Sequence, residues 1–171
     1  MKLKSVYIGI CVFTGLFLLR KLFMDVWDKS SWPKIHTLEP DTAKKAIAFL
    51  NAAEKEGILL RVIAAKRTCE EQNALYAQGR TKPGKVVTNA RCNESMHNFG
   101  LAIDVVEIKN GQPLWVNDRW AQIGQIGKSV GFEWGGDWKF VDKPHFQNTR
   151  GMKLAQIQKL PQDKNGNAIL G

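Results

Sequence analysis

Ser95-Met-His-Asn-Phe-Gly-Leu-Ala-Ile-Asp104, with its distant complement Asp142-Lys-Pro-His145, is the stretch that organises this chain. Gly100 to Ile108 is apolar throughout except at Asp104 and Glu107, which is the composition of a buried central strand. Such a strand presents Asp104 from a rigid element. His97 offers an imidazole just before it, Gly100 lets the backbone turn between the two, and His145 adds a second imidazole from the later segment. Two histidines and one carboxylate, with a fourth position left for water, is the ligand count of a catalytic zinc; a closed structural site takes four protein ligands. Each residue also has an ordinary reading, the histidines as satisfied core or surface residues and the aspartate as a cap or turn residue. The joint placement favours the metal, because two of the chain's three histidines sit in Gly-, Pro- and aromatic-rich segments that carry an acid at a useful offset.

Outward from this stretch, the chain alternates helical and extended patterns. Pro40 and Asp41-Thr42 precede a run with Ala43, Ala46, Ile47, Leu50 and Ala53 on one face, ended by Gly57, and it reads as a scaffold helix. Ile58 to Ala65 is apolar and partly β-branched, a strand that delivers Arg67 at its end. A second helix is expected from Cys69 to Gln78, with Leu75 and Tyr76 packed inward and Gly79 closing it. Between Arg80 and Arg91 a loop with a short strand at Val86-Val87-Thr88 is placed to form a groove wall. Asn110-Gly111 marks a hairpin. Asn117 caps a helix running to about Val130, and a last strand covers His145 to Gln147.

Several ordered blocks resemble one known family. Ser95-x-His97-x-x-Gly100-x-Ala102-x-Asp104, Glu133-Trp134-Gly135-Gly136-Asp137-Trp138 and Asp142-x-Pro144-His145-Phe146 are similar to the zinc D-Ala-D-Ala carboxypeptidases and L-alanyl-D-glutamate endopeptidases that hydrolyse the bacterial cell wall, peptidase family M15. The upstream block Lys66-Arg67-Thr68-x-x-x-Gln72-x-x-Leu75-Tyr76-x-x-Gly79-Arg80-Thr81-x-Pro83-Gly84 extends the match to roughly residues 38 to 150. The resemblance implies an α+β fold of the Hedgehog/DD-peptidase type, a small antiparallel sheet with flanking helices. It also implies Zn2+ held by His97, Asp104 and His145. Asp142 takes the role of general base and acid, and Arg67 that of the cation facing the developing oxyanion. Ser95, Gln72, Trp134 and Trp138 are the expected substrate contacts, with loop-holding and core packing as their ordinary alternatives. Aspartate at 142, where the carboxypeptidase branch more often has glutamate, resembles the endopeptidase branch that includes phage endolysins. The implied fold also brings Cys69 and Cys92 near each other, so a disulfide is expected if the domain is exported.

The ends are read separately. Ser5 to Leu19 is 15 residues without a charge, and with Arg20 and Lys21 snorkelling it extends to Met24. An uncleaved hydrophobic anchor helix over 1–24 is favoured over a cleaved signal peptide, because no small-x-small cleavage site follows. Residues 25–38 read as a linker, 39–160 as the peptidase domain, and 161–171 as a disordered tail. Without residues 1–24 the chain keeps 21 basic against 16 acidic side chains, a net of +5, but they are dispersed and no nucleic-acid motif accompanies them. The expectation is therefore a monomeric, membrane-anchored zinc peptidase in the periplasm or facing the wall. Its substrate would be peptidoglycan stem peptides, cut between L-Ala and D-Glu. A D-Ala-D-Ala carboxypeptidase, a non-catalytic wall-binding module or a membrane-anchored structural protein are the alternatives.

Overall fold

The apolar run after Gly100 forms the middle strand of the sheet in the computed structural model, which describes residues 30–171. This strand, β2 (Ala102–Lys109), pairs antiparallel with β1 (Leu60–Ala64) on one side. On its other side lies β5 (His145–Gln147), which in turn pairs with β4 (Glu133–Trp134). The far end of β2 turns at Asn110 and Gly111, both at positive φ, into the short β3 (Gln112–Leu114). The expected α+β class with a small antiparallel sheet is therefore present. The anticipated N-terminal hydrophobic helix lies outside the described residues; among these, no helix is long and apolar enough to cross a membrane.

Helix α1 (Pro40–Lys55) starts where Glu39 accepts hydrogen bonds from the backbone N–H groups of Asp41 and Thr42. Its apolar face, with Ala46, Phe49, Leu50 and Ala53 buried, packs with α3 (Trp120–Ser129) over the sheet. Phe49 meets Phe146 of β5 at 4.6 Å between ring centroids. Burial of each such large side chain stabilises by about 1.5–3 kcal/mol. Helix α2 (Cys69–Ala77) differs from expectation. Leu75 and Tyr76 are only half-buried, and the one fully buried side chain is Gln72. Tyr76 instead carries Arg80 and Arg91 over its ring, at 4.1 and 4.9 Å.

Four further expectations are corrected. Residues 86–88 form no strand; both valines are about half-exposed, and the loop is held by Arg80, which donates to the carbonyls of Tyr76 and Thr88. Asn117 does not cap α3. It is drawn to the buried carboxylate of Glu107, to which it donates at 2.7 Å, while accepting from the backbone N–H of Arg119. The linker assigned to 25–38 is part of the fold from residue 30: 30–35 is helical, Ile35 and Leu38 are buried, and Ser31 accepts from the Val62 N–H. The tail is ordered as well. Ala168 and Leu170 join Phe99, Leu101 and Ile157 in a second apolar cluster beside α4 (Leu154–Ile157), and Asp163 closes a turn on Asn165 and Asn167.

Cys69 and Cys92 form the expected disulfide, with Cα atoms 4.6 Å apart. It joins the first turn of α2 to the segment leading into Ser95. Closing a loop with 23 residues of separation stabilises by roughly 3 kcal/mol in the chain-entropy estimate. Reduction is therefore expected to lower the melting temperature by several degrees. Calorimetry of oxidised and reduced protein checks this, and equal melting temperatures would contradict it.

Candidate active site

Strand register brings the three candidate ligands together. Across β2 and β5, Asp104 sits opposite His145, and across β2 and β1 it sits opposite Ala64. His97 comes from the 3-10 turn Met96–Phe99, whose N-terminus Ser95 caps by accepting from the His97 N–H at 3.4 Å. Gly100 then takes φ +70, and a side chain there would strike the amide oxygen of Asn167. Glycine is thus required where the chain turns from His97 into β2.

Asp104 Oδ1 lies 3.2 Å from His97 Nε2 and 3.1 Å from His145 Nδ1. The opposite face of each ring is held. His97 Nδ1 is 2.5 Å from the carbonyl oxygen of Ala65, and because a carbonyl only accepts, that nitrogen carries the hydrogen and Nε2 keeps its electron pair. The three inward atoms lie within 4.8 Å of one another. Converging electron pairs repel unless a cation lies between them, and the two-nitrogen, one-oxygen set suits zinc. The donor set therefore fits the implied metal. Desolvation pushes the His97 imidazole below its ordinary pKa, which favours the neutral form that binds metals. Burial works against the Asp104 carboxylate, yet the two imidazoles outweigh it and hold its pKa well below the usual range.

The other expected residues are placed unequally. Arg67 donates to Asp104 Oδ2 at 2.8 Å and to Gln72 at 3.4 Å, so its guanidinium is anchored at the edge of the site. Asp142 lines the same cleft of about 410 Å³ as Ser95, Trp138 and the three candidate ligands. Desolvation by the cleft walls pushes the Asp142 carboxyl up, against the pull of the nearby His145. Its loop is fixed by Gly135, whose carbonyl accepts the Asp142 N–H at 2.9 Å and where an added Cβ would lie 2.5 Å from the Asp142 carbonyl oxygen. Gln72 does not face a substrate. It is wholly buried, and its amide donates to the Ala90 carbonyl at 2.8 Å, tying α2 to the cleft wall. Trp134 is likewise a packing residue, stacked on Phe146 and donating to the Lys143 carbonyl. Trp138 does line the cleft, its ring 5.1 Å from that of His145. A larger hollow of about 730 Å³ shares Ile63 and Arg67 with the cleft but contains none of the His-Asp-His set. Sequence reading missed the acceptors behind the histidines, Ala65 and Gln147. A carbonyl leaves no signature in residue type, whereas Gln147 stands two places after His145 on an alternating strand.

The M15 peptidase profile described as D-alanyl-D-alanine carboxypeptidase matches residues 88–148. The peptidoglycan L-alanyl-D-glutamate endopeptidase CwlK of Bacillus subtilis (strain 168) is 42% identical over 121 residues, spanning 64% of this chain and 72% of that protein. An L-alanyl-D-glutamate peptidase of Listeria phage A118 is 32% identical over 121 residues, spanning 68% of this chain but 40% of that protein. Among solved structures, the Serratia marcescens L-Ala D-Glu endopeptidase ChiX matches with a TM-score of 0.55 and 25% identity, over 70% of this chain and 86% of that one. A vancomycin-resistance D,D-pentapeptidase VanY solved with Zn(II) shares the fold, with a TM-score of 0.52 at 15% identity, over 71% of this chain and 78% of that one. Agreement in sequence over most of CwlK's length, together with the fold, makes this chain a member of the M15 peptidase family.

Proposed function

We propose that the chain is a zinc endopeptidase that hydrolyses the L-Ala–D-Glu bond of peptidoglycan stem peptides. The observation that carries the proposal is the convergence of His97 Nε2, Asp104 Oδ1 and His145 Nδ1 in a cleft that Asp142 also lines. The choice of bond is supported by relatives named for that activity in a bacterium and a phage.

His97, Asp104 and His145 would hold the metal. Zinc in that place supplies a Lewis acid and lowers the pKa of water towards ~7. Asp142 takes the proton given up as water attacks the amide carbonyl and hands it to the leaving amine. Its raised pKa suits a group that must both accept and return a proton. Arg67, anchored on Asp104, faces the cleft where negative charge develops on the carbonyl oxygen. Trp138 and Ser95 form walls against which the peptide lies. The domain acts outside the cytoplasm, held by the segment 1–24, a placement that the Cys69–Cys92 disulfide supports.

Defined muropeptides incubated with the protein, with products read by mass spectrometry, test the choice of bond. Release of a fragment beginning with D-Glu is expected. Release of D-Ala alone would establish the second reading, D-Ala-D-Ala carboxypeptidase, which the description of the matching family profile favours.

A further inference from the structure

The structure assigns to Gln147 and Glu133 the task of selecting which nitrogen of His145 faces the metal, an inference that rests on the zinc site proposed above. A neutral imidazole has one N–H and one bare nitrogen, and only the bare one binds a metal. In His145, Nδ1 points at Asp104 Oδ1, and Nε2 lies 3.2 Å from Gln147 Oε1. Whether Gln147 offers its oxygen or its amide nitrogen to the ring depends on what its other end must do. That other end meets Glu133 Oε2, at 2.8 Å from Gln147 Nε2. An ionised carboxylate only accepts, so the amide nitrogen is committed to Glu133 and the amide oxygen is left for His145. The ring must then donate from Nε2, and Nδ1 is left bare towards Asp104.

Glu133 is itself fixed, because Thr149 donates to its Oε1 and the residue is the cross-strand partner of Gln147 between β4 and β5. The relay Thr149, Glu133, Gln147 thus does for His145 what the Ala65 carbonyl does for His97. Gln147 and Glu133 are positioning residues that act through His145. Acceptors of this kind behind a ligating histidine commonly carry about 10–100-fold in metal affinity.

The test uses the full chain, with zinc affinity measured against a chromophoric chelator and the His145 ring N–H followed by 15N-resolved NMR in the zinc-loaded protein. Gln147→Leu is expected to weaken zinc binding by about 10–100-fold and to remove the hydrogen-bonded Nε2–H signal. The exchange Gln147→Glu with Glu133→Gln reverses amide and carboxylate but keeps an acceptor at His145 and a donor at position 133. It is expected to restore both affinity and signal, and it decides the matter even if Gln147→Leu fails to fold. Native affinity with an unchanged ring signal in Gln147→Leu, or an exchanged pair that fails to restore binding, would overturn the relay. A native chain that binds no zinc would overturn the metal reading along with it.

Discussion

Asp142→Asn is expected to keep its zinc and lose about 10²–10⁴-fold in turnover, the usual cost of removing a general acid-base group. The substitution is nearly isosteric. It leaves intact the Asp142 N–H bond to the Gly135 carbonyl and the His145 N–H bond to the carbonyl of residue 142, so the loop and the histidine should stay in place. What it removes is the ability to hold a proton between water and the leaving amine. The two acids of the neighbouring Glu-Trp-Gly-Gly-Asp-Trp block, Glu133 and Asp137, are engaged elsewhere. Glu133 is tied to Gln147 and Thr149, and Asp137 pairs with Lys128 at 2.8 Å with half its side chain exposed. Metal analysis paired with muropeptide turnover checks this outcome; unchanged turnover would move the base away from Asp142.

Arg119→Met is expected to give the largest loss of stability, about 3 kcal/mol or more, with little change in the chemistry of the protein that remains folded. Glu107 is buried in β2 and relies on the Arg119 guanidinium and the Asn117 amide to satisfy its charge. Removing one partner of such a pair leaves an uncompensated buried carboxylate, which costs about 3–5 kcal/mol where both groups are enclosed. Arg119 is about one-third exposed, so the lower end applies. Glu107 and Asp104 are three residues apart on one strand and so point to opposite faces, which separates this loss from the metal site. Urea unfolding measures it. Adding Glu107→Gln should recover part of the loss, because the stranded charge is then gone, and a double variant as unstable as the single one would contradict the assignment.

The parts of the site that were legible in sequence are those in which residue type alone dictates chemistry. His97, Asp104 and His145 converge because an apolar strand, a glycine turn and a Pro-His segment leave few ways to arrange them, and the family blocks around them supplied the order. Direction of burial was less legible. Trp134 and Trp138 stand four residues apart around two glycines, yet only the second reaches the cleft, since β4 turns the first onto Phe146. Gln72 reads as a peptide-binding amide until tertiary contacts bury it beneath Ala90. The tail looked too polar to fold, but Ala168 and Leu170 needed only a ready-made apolar face, which Phe99, Leu101 and Ile157 provide. Asn117 follows cap statistics in isolation and loses to a buried carboxylate ten residues earlier in the chain. In each case a long-range partner decided the outcome, and no local pattern encodes such a partner.

In the proposed reaction, His97, Asp104 and His145 hold the zinc on which peptide hydrolysis depends. Zinc content and muropeptide turnover, measured on the same samples of full-length protein before chelation, after it and after readdition of metal, test this most directly. The expected result is one zinc per native chain, turnover abolished by chelation and restored by one equivalent of zinc, and neither zinc nor turnover in His97→Ala or His145→Ala. Full turnover by metal-free protein, or a full complement of zinc in either variant, would contradict it.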